Sequence, residues 1–244
     1  MDDTYKRILT EINNANQGQA YRLLQCLTVA RRPLLVEELA DVLAVDFNAS
    51  GIPKLNADWR WEDQEEAVLS ACSSLVTVIG DSDDGRVVQF SHFSVKEFLT
   101  SDRLASCIEE VSRFHIPIEP SHAIIGQACL GVLLRLDDHT DSDSVKKIPL
   151  FRYAVDYWVG HAQVGNVESQ IKDAMDYFFS EDKPHFSAWF RILQEVADPS
   201  TYSTADDFVW RGRMPFPFSS RLTLHYAAWR GFRGLVERLM SKHP

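Results

Sequence analysis

Few residues in this sequence are spaced in a way that supports chemistry, and His92 is the clearest candidate. The phosphate-loop patterns GxxxxGK and GxGxxG, the serine elbow GxSxG and the zinc pattern HExxH are all missing from the 244 residues. His92 directly follows a β-rich segment, residues 86–90, and precedes a helical pattern. Such a junction can keep the imidazole accessible, although a histidine that bonds locally to the hairpin fits the same pattern.

Three other groups of residues suggest metal sites by composition but not by spacing. The acidic runs at residues 137–143 and 81–84 lack the central glycine and the final glutamate of a calcium loop. They are interpreted as a solvated linker and a hairpin tip. His115, His122 and Cys129 recur every seven residues, which is not the spacing of zinc ligands. We therefore predict no metal ion, and no cofactor bound by this chain itself.

Composition indicates a globular chain with an acidic balance. Hydrophobic residues make up 45% and charged residues 25% of the chain, and the formal net charge is −10. A negative chain does not favour nucleic acid or anionic membranes as partners, because both need a positive field. The densest apolar stretch, residues 123–134, is too short to span a bilayer, and the first residues do not form a signal peptide.

The cysteines indicate a reducing compartment. There are four cysteines, and they are widely spaced among apolar residues: Cys26, Cys72, Cys107 and Cys129. This distribution predicts buried free thiols rather than a disulfide framework. We therefore expect a cytoplasmic protein, with the nucleus as the other default location.

The elements that would position His92 follow the order of a winged helix, in which helices precede a two-stranded ribbon. Apolar spacing predicts helices over residues 5–12, 19–31, 36–43 and from residue 63, with a surface loop over 46–61. Residues 75–79 and 86–90 are rich in β-branched side chains and flank a turn containing Asp-Gly, which predicts a hairpin. Ser94 and Glu97 then form a capping box that predicts the start of the next helix.

Helical patterns continue through the middle of the chain. Ser121 is a plausible N-cap for an apolar stripe over residues 124–136, and further stripes cover 150–161, 167–178 and 186–197. This pattern predicts stacked helical hairpins. Residues 198–217 are expected to form a loop, and helical spacing returns from residue 222. The predicted fold class is mostly α with one small β-hairpin.

The helix that would read DNA in a winged helix is acidic here. Recognition helices present Arg, Lys, Asn or Gln to bases and phosphates. Residues 62–66 instead carry four carboxylates, which would repel phosphate. A DNA-binding winged helix is therefore the less favoured interpretation, and a role in packing against protein is preferred.

Four short motifs resemble the region downstream of the NTPase in fungal NACHT-type signalling ATPases, the NOD-like members of the STAND class. They are Asp-Thr-Tyr-Lys-Arg-Ile-Leu at 3–9, Arg-Pro-Leu-Leu-Val-Glu-Glu-Leu at 32–39, Cys-Ser-Ser-Leu-Val at 72–76, and Phe-Ser-His-Phe-Ser-Val-Lys-Glu-Phe-Leu at 90–99. They resemble, in order, the linking helix, a turn, the entry to the wing and the segment after it. The resemblance covers residues 3–101 and implies a winged-helix domain.

The C-terminal residues carry a second resemblance. Leu-Thr-Leu-His-Tyr-Ala-Ala-Trp-Arg-Gly at 222–231 is similar to the ankyrin opening TPLHxAAxxG, and Leu235, Leu239 and Met240 fit its second helix. We expect part of that second helix to be left uncovered without a following repeat. The two resemblances divide the chain into a linking helix (1–16), a winged-helix domain (17–101), a helical domain (102–206), and a loop with a first, incomplete ankyrin repeat (207–244).

The resemblances imply a regulatory role without catalysis. In such ATPases the histidine after the second wing strand reaches the β-phosphate of ADP, and that role falls on His92. The nucleotide, ADP or ATP, would be held by an upstream NACHT domain in cis that this chain lacks. Protein partners would bind the ankyrin region through Tyr226, Trp229 and Arg230. The chain would thus couple nucleotide state to repeat-mediated recognition; the alternative is a stand-alone ankyrin-type interaction adaptor without an ATPase.

Overall fold

The computed structural model describes residues 2–47, 51–80, 85–145, 147–196 and 222–242. The predicted hairpin tip at 81–84 and the predicted loop at 198–217 lie outside these residues. Within them, the helices and strands have the following bounds: α1 Asp2–Glu11, α2 Gln17–Val29, β1 Leu34–Leu35, α3 Val36–Leu43, β2 Val45–Asp46, β3 Lys54–Leu55, α4 Gln64–Cys72, β4 Val76–Ile79, β5 Val87–Phe90, α5 Phe93–Leu99, α6 Asp102–Ala105, α7 Glu109–Ser112, α8 Ile118–Leu133, α9 Ser142–Val145, α10 Leu150–Ala162, α11 Val167–Gln170, α12 Lys172–Phe178, α13 His185–Val196, α14 Leu222–Trp229 and α15 Arg233–Lys242.

The predicted hairpin is confirmed and belongs to a small three-stranded sheet. Strands β4 and β5 pair antiparallel, with Val78 opposite Val88. The third strand, β1, pairs with the other edge of β5, so the strand order is β1-β5-β4. Helices α2, α3 and α4 pack on one another beside this sheet. This is the winged-helix arrangement that the sequence predicts.

The predicted surface loop over residues 46–61 is wrong in part, because two short strands form there. Val45 of β2 lies opposite Leu55 of β3, and both side chains are buried. Strand β3 packs against α8, where Gly131 lets Val45 and Pro53 approach the helix closely. Two-residue strands have no periodicity of their own, so only this contact with a distant helix defines them.

Helix α8 is the centre of the fold. It packs against α10 on one side and α2 on another, which joins the helical domain to the winged helix. Ser121 is not its N-cap as predicted: α8 begins at Ile118, and the Ser121 hydroxyl donates to the Pro117 carbonyl inside the first turn. Pro120 is compatible with this position, because the first-turn amides of a helix have no partner within the helix.

The remaining helical stripes form elements close to their predicted positions, with two differences. The stripe over 167–178 is divided into α11 and α12 at Ile171, and the last residues of the predicted linker, 142–144, belong to the short helix α9. Aromatic rings dominate the core of this half. The ring of Trp158 meets those of Phe178, Phe179, Trp189 and Phe232.

The last two helices pack on each other and on the helical domain. Gly231 makes the turn between them at φ +73°, a conformation that favours glycine. Phe232 then stacks on Trp158 with ring centroids 5.9 Å apart. The expectation of a partly uncovered second helix is wrong for Leu235 and Leu239, which are buried, while Met240 is 58% exposed. The two residues pack toward the chain itself, because α12 and α15 are in contact.

None of the described helices combines the length and the apolar character that crossing a bilayer requires.

Candidate regulatory site around His92

His92 lies between β5 and α5 and forms the cap of that helix. Its backbone is extended, at φ −152° and ψ 146°, and its Nδ1 accepts a hydrogen bond from the Ser94 amide at 3.2 Å. The sequence predicted Ser94 as the cap, paired with Glu97. The structure moves the cap two residues earlier, because the imidazole accepts from the Ser94 amide, which a capping box would have paired with the Glu97 side chain.

The hydrogen bonds around His92 determine which ring nitrogen carries the proton. A nitrogen that accepts from a backbone amide has no hydrogen of its own, so Nδ1 is unprotonated and the neutral ring is protonated at Nε2. The Ser94 hydroxyl, 2.6 Å from Nδ1, therefore donates to it. Tyr5 Oη lies 2.7 Å from the Ser94 Oγ. Because the Ser94 hydroxyl hydrogen is already donated to His92, the Tyr5 hydroxyl is the donor in this second hydrogen bond.

The outer edge of the His92 ring is thus a hydrogen-bond donor directed away from the protein's own polar groups. His92 is exposed, and Nε2 makes no hydrogen bond within the described residues. Phe93 stands beside it, 70% exposed, with ring centroids 4.3 Å apart. An outward imidazole N–H can donate to an anionic oxygen, such as that of a phosphate.

The N-terminal helix α1 takes part in this arrangement. Tyr5 supplies the first hydroxyl of the hydrogen-bonded series, and its ring lies 5.5 Å from that of Phe98 on α5. A second link joins Asp2 to Arg103 at 2.7 Å. A displacement of α1 would therefore change the hydrogen bonds that orient His92.

The Arg-Pro-Leu-Leu-Val-Glu-Glu-Leu motif at 32–39 acts as a junction between the two domains. The two terminal guanidinium nitrogens of Arg32, Nη1 and Nη2, donate to the Glu38 carboxylate at 2.7 and 2.6 Å. The Glu38 side chain is 1% exposed. The Glu38 Oε2 that accepts from Arg32 Nη1 also accepts from the Leu35 amide at 2.9 Å. Arg32 also lies over the ring of Tyr153 on α10, 5.0 Å from its centroid. The ion pair thus holds a winged-helix turn against the helical domain.

A second polar junction involves two histidines. His161 is buried; its Nε2 lies 2.8 Å from Tyr153 Oη, and its Nδ1 lies 2.7 Å from the Nδ1 of His122. Because the Arg31 amide donates to Tyr153 Oη at 3.0 Å, that hydroxyl is left to donate to His161. The neutral His161 ring then donates from Nδ1 to His122, so both of its ring nitrogens have a partner.

Burial determines the charge of this junction. Desolvation, with smaller contributions from His122 and Arg31, lowers the pKa of His161 to about 3. Desolvation also lowers the pKa of the half-buried His122, again with Arg31 contributing. The sequence pattern indicated neither contact, since His122 was weighed only as a zinc ligand and His161 only as part of an apolar stripe. Tyr153 and His161 lie eight residues apart on one face of α10, and this spacing is the sequence signal that could have indicated their contact.

The three residues predicted to bind protein partners occupy different environments. Tyr226 is 5% exposed and lies among the chain's own rings, 5.5 Å from Phe186 and 5.3 Å from Trp189. Trp229 and Arg230 are half-exposed, and the Arg230 guanidinium lies 4.8 Å from the centroid of the Trp229 ring. Tyr226 is therefore a core residue, whereas Trp229 and Arg230 keep part of their surface exposed.

The thiols and acidic groups offer little further chemistry. Cys26, Cys72 and Cys129 are buried and free, and desolvation raises the pKa of the Cys26 and Cys72 thiols to about 12. In the part of the chain that the structure describes, no group of three or more potential ligands has an arrangement that could hold a metal ion. Asp137 and Asp141 bond to neighbouring residues in their own loop.

Comparisons with known proteins agree with the winged-helix fold. The family model for the winged helix domain of GPI inositol-deacylase matches residues 7–109. A Monascus ruber protein, named azaphilone pigments biosynthesis cluster protein L, is 32% identical over 200 residues. That match covers 79% of this chain and 41% of the relative, so the chain corresponds to less than half of the relative's length. No solved structure is significantly similar to the chain.

Proposed function

We propose that this chain is the non-catalytic regulatory segment of a NACHT-type signalling ATPase of fungal origin, acting in the cytoplasm. Its winged helix would sense the nucleotide held by an upstream NACHT domain, and its C-terminal helices would begin an ankyrin array that recognises protein. The observation that carries this proposal is the orientation of His92. Its Nδ1 is held by Ser94, so an Nε2 donor faces outward on an exposed edge of the wing.

The donor suits a diphosphate. A neutral imidazole N–H beside a phosphate oxygen forms a charge-assisted hydrogen bond, and its loss would favour a state that does not hold ADP. The remainder of the nucleotide would be bound by the NACHT domain. Within this chain, His92 contributes the donor, Ser94 fixes its tautomer, and Tyr5 connects both to the helix that leads from that domain.

Packing supports transmission from the wing to the C-terminal helices. Arg32 joins the winged helix to α10. Glu168 on α11 accepts from the Leu235 amide at 2.6 Å, and Asp176 on α12 pairs with Arg238 at 2.6 Å. The contact of Trp158 on α10 with Phe178 on α12 connects these two sets of contacts, from Arg32 of the winged helix to α15. A change at His92 could therefore alter how the repeat region is presented.

The proposal is tested on the full-length protein by measuring the ADP that remains bound after purification. We expect His92→Ala to lower the retained ADP and to increase oligomerisation, and Tyr5→Phe to lower it less. The matched control is His139→Ala, because His139 is exposed and lies outside the winged helix. Retained ADP that is the same in His92→Ala and His139→Ala would contradict the role of His92.

A stand-alone adaptor is the second candidate function. The half-exposed pair of Trp229 and Arg230 favours it, because tryptophan and arginine are enriched at protein interfaces. A full-length protein that has no phosphate loop and retains no nucleotide would support the adaptor. In that case, partner capture should depend on Trp229 and be independent of His92.

A further inference from the structure

The segment between β3 and α4 presents two tryptophans to the solvent. It contains the sequence Trp59-Arg60-Trp61, with Trp59 49% and Trp61 48% exposed. Neither belongs to the hydrophobic core or to the apolar residues packed against it. Two large apolar side chains exposed within three residues are a typical feature of interaction surfaces rather than of a stable free surface.

The backbone explains why both rings face outward. Arg60 is extended, at φ −69° and ψ 135°, and its side chain turns inward to Asp41. Its Nε and Nη2 bond to the two oxygens of that carboxylate at 2.8 and 3.1 Å, and Asp41 is 0% exposed. Trp59 ends a short 3-10 helix over residues 57–59, and the side chain of Arg60, which is 25% exposed, points inward while Trp59 and Trp61 on either side of it stay exposed. The ion pair therefore fixes the two rings in an exposed position.

An acidic cavity begins at the next residue. It has a volume of about 270 Å³ and lies between the first turns of α3 and α4 and the start of β5. Four carboxylates line it, from Glu37, Glu62, Asp63 and Glu65, together with a single arginine, Arg86.

Two of these four carboxylates are already used. Arg86 pairs with Glu65, and Asp63 accepts from the Glu66 amide at 2.8 Å as the cap of α4. Glu37 and Glu62 form no ion pair within the described residues. The cavity therefore keeps two uncompensated negative charges beside the exposed tryptophans.

We propose that this surface binds a lysine- or arginine-rich segment of a partner protein. A cationic side chain would enter the cavity between Glu37 and Glu62, and a neighbouring cation or apolar group would stack on Trp59 and Trp61. Ammonium and guanidinium groups bind to the faces of tryptophan rings as well as to carboxylates. This interaction is separate from the nucleotide-sensing role proposed above, since it uses none of Tyr5, His92 and Ser94.

Charge argues against the other occupants of such a surface. Nucleic acid and anionic lipid would bring negative groups to an acidic cavity. A symmetric contact with a second copy would place the same carboxylates opposite each other, because a two-fold interface joins identical patches. A basic segment is the partner whose charge complements the cavity.

The test uses the 244-residue chain and a fluorescent peptide rich in arginine and leucine, with binding followed by anisotropy. A peptide of the same length with glutamate at the arginine positions, a labelled DNA duplex and anionic vesicles are measured alongside. We expect the arginine peptide alone to bind, and its affinity to fall as salt is raised.

Variants locate the binding surface. We expect the double change Trp59→Ala with Trp61→Ala to weaken binding by about tenfold or more, and Glu37→Gln with Glu62→Gln to weaken it by about fivefold. Matched controls are Ile108→Ala, an apolar residue that is 70% exposed, and Glu109→Gln with Glu110→Gln, an exposed acidic pair. These controls should change affinity by less than about twofold.

Three results would overturn the proposal. They are no binding of the arginine peptide by the unaltered chain, an equal loss of affinity in the control variants, and tighter binding of DNA or vesicles than of the peptide. Circular dichroism and thermal unfolding of each variant show whether it is folded, so that a loss of affinity can be assigned to the substituted side chains. The substituted side chains are exposed or line an open cavity, and the Asp41–Arg60 pair is left intact.

Discussion

Mild acid should destabilise this chain through His161. Its pKa is about 3 in the folded chain because the ring is desolvated, against an ordinary value of 6.5. Between these two values the unfolded chain binds a proton that the folded chain does not, so the free energy of unfolding falls as the pH is lowered. Each unit of pKa corresponds to about 1.4 kcal/mol, so the loss reaches about 2 kcal/mol at pH 5. The pKa of His122 is also lowered in the folded chain, so its protonation decreases the stability in the same way.

The neighbours of His161 determine the sign of this effect. The groups that face it are His122, Tyr153 and Arg31. None of them is an acid that could stabilise an imidazolium, and desolvation raises the pKa of Tyr153, which keeps its hydroxyl neutral. Protonation would also place a second N–H opposite a hydroxyl that already donates to His161 Nε2. The folded state therefore retains the neutral ring.

The assay is urea unfolding at several pH values between 7 and 5, at constant ionic strength. We expect His161→Gln to lower the stability at pH 7 by about 1–3 kcal/mol, because Tyr153 and His122 lose a buried partner. The same variant should remove most of the pH dependence. His139→Gln is the control, since His139 is exposed and should leave the pH dependence unchanged. An unaltered pH dependence in His161→Gln, or a His161 pKa near 6.5 by NMR, would refute the reasoning.

Three further predictions concern packing and charge. Glu38→Gln should lower the stability by about 2–4 kcal/mol, measured by denaturant unfolding, because it leaves Arg32 partly buried without its carboxylate; a loss below about 0.5 kcal/mol would contradict the importance of the pair. Phe232→Ala should cost about 3–5 kcal/mol and speed amide hydrogen exchange in α14 and α15 more than in α8, and equal acceleration in all three helices would show that the stack on Trp158 does not hold the C-terminal pair specifically. Random duplex DNA should not bind at moderate salt, because residues 62–66 are acidic; a salt-sensitive gel shift at micromolar protein would show otherwise.

Periodic features of this fold could be predicted from the sequence, and features made by distant contacts could not. The β-branched segments predicted the bounds of β4 and β5 to within one residue. The apolar stripes predicted the presence of α8, α10 and α13, because each of these helices buries one continuous face. Strands β1, β2 and β3 have two residues each, so their pattern carries no signal and their pairing depends on tertiary contact.

The candidate site shows the same division. The position of His92 between a strand and a helix was visible in the sequence. The role of His92 as the helix cap could not be predicted, because Ser94 is also a common cap residue. Only the position of the imidazole, whose Nδ1 accepts from the Ser94 amide, shows that His92 is the cap. The link to Tyr5 joins residues 89 positions apart, and the link between His122 and His161 joins residues 39 apart. The outward orientation of Trp59 and Trp61 depends on the contact of Arg60 with Asp41.

The position of α8 against α2 and β3 has a consequence for how the protein is made. A ribosome releases α2 long before α8, and until then the apolar face that α2 turns toward α8 has no cover. The winged helix can complete its core only after residue 133 has left the exit tunnel, so the two domains should mature in a single late step. Domains that fold independently can instead mature one after the other during translation. Nascent chains stopped before α8 would therefore be the forms most in need of a chaperone.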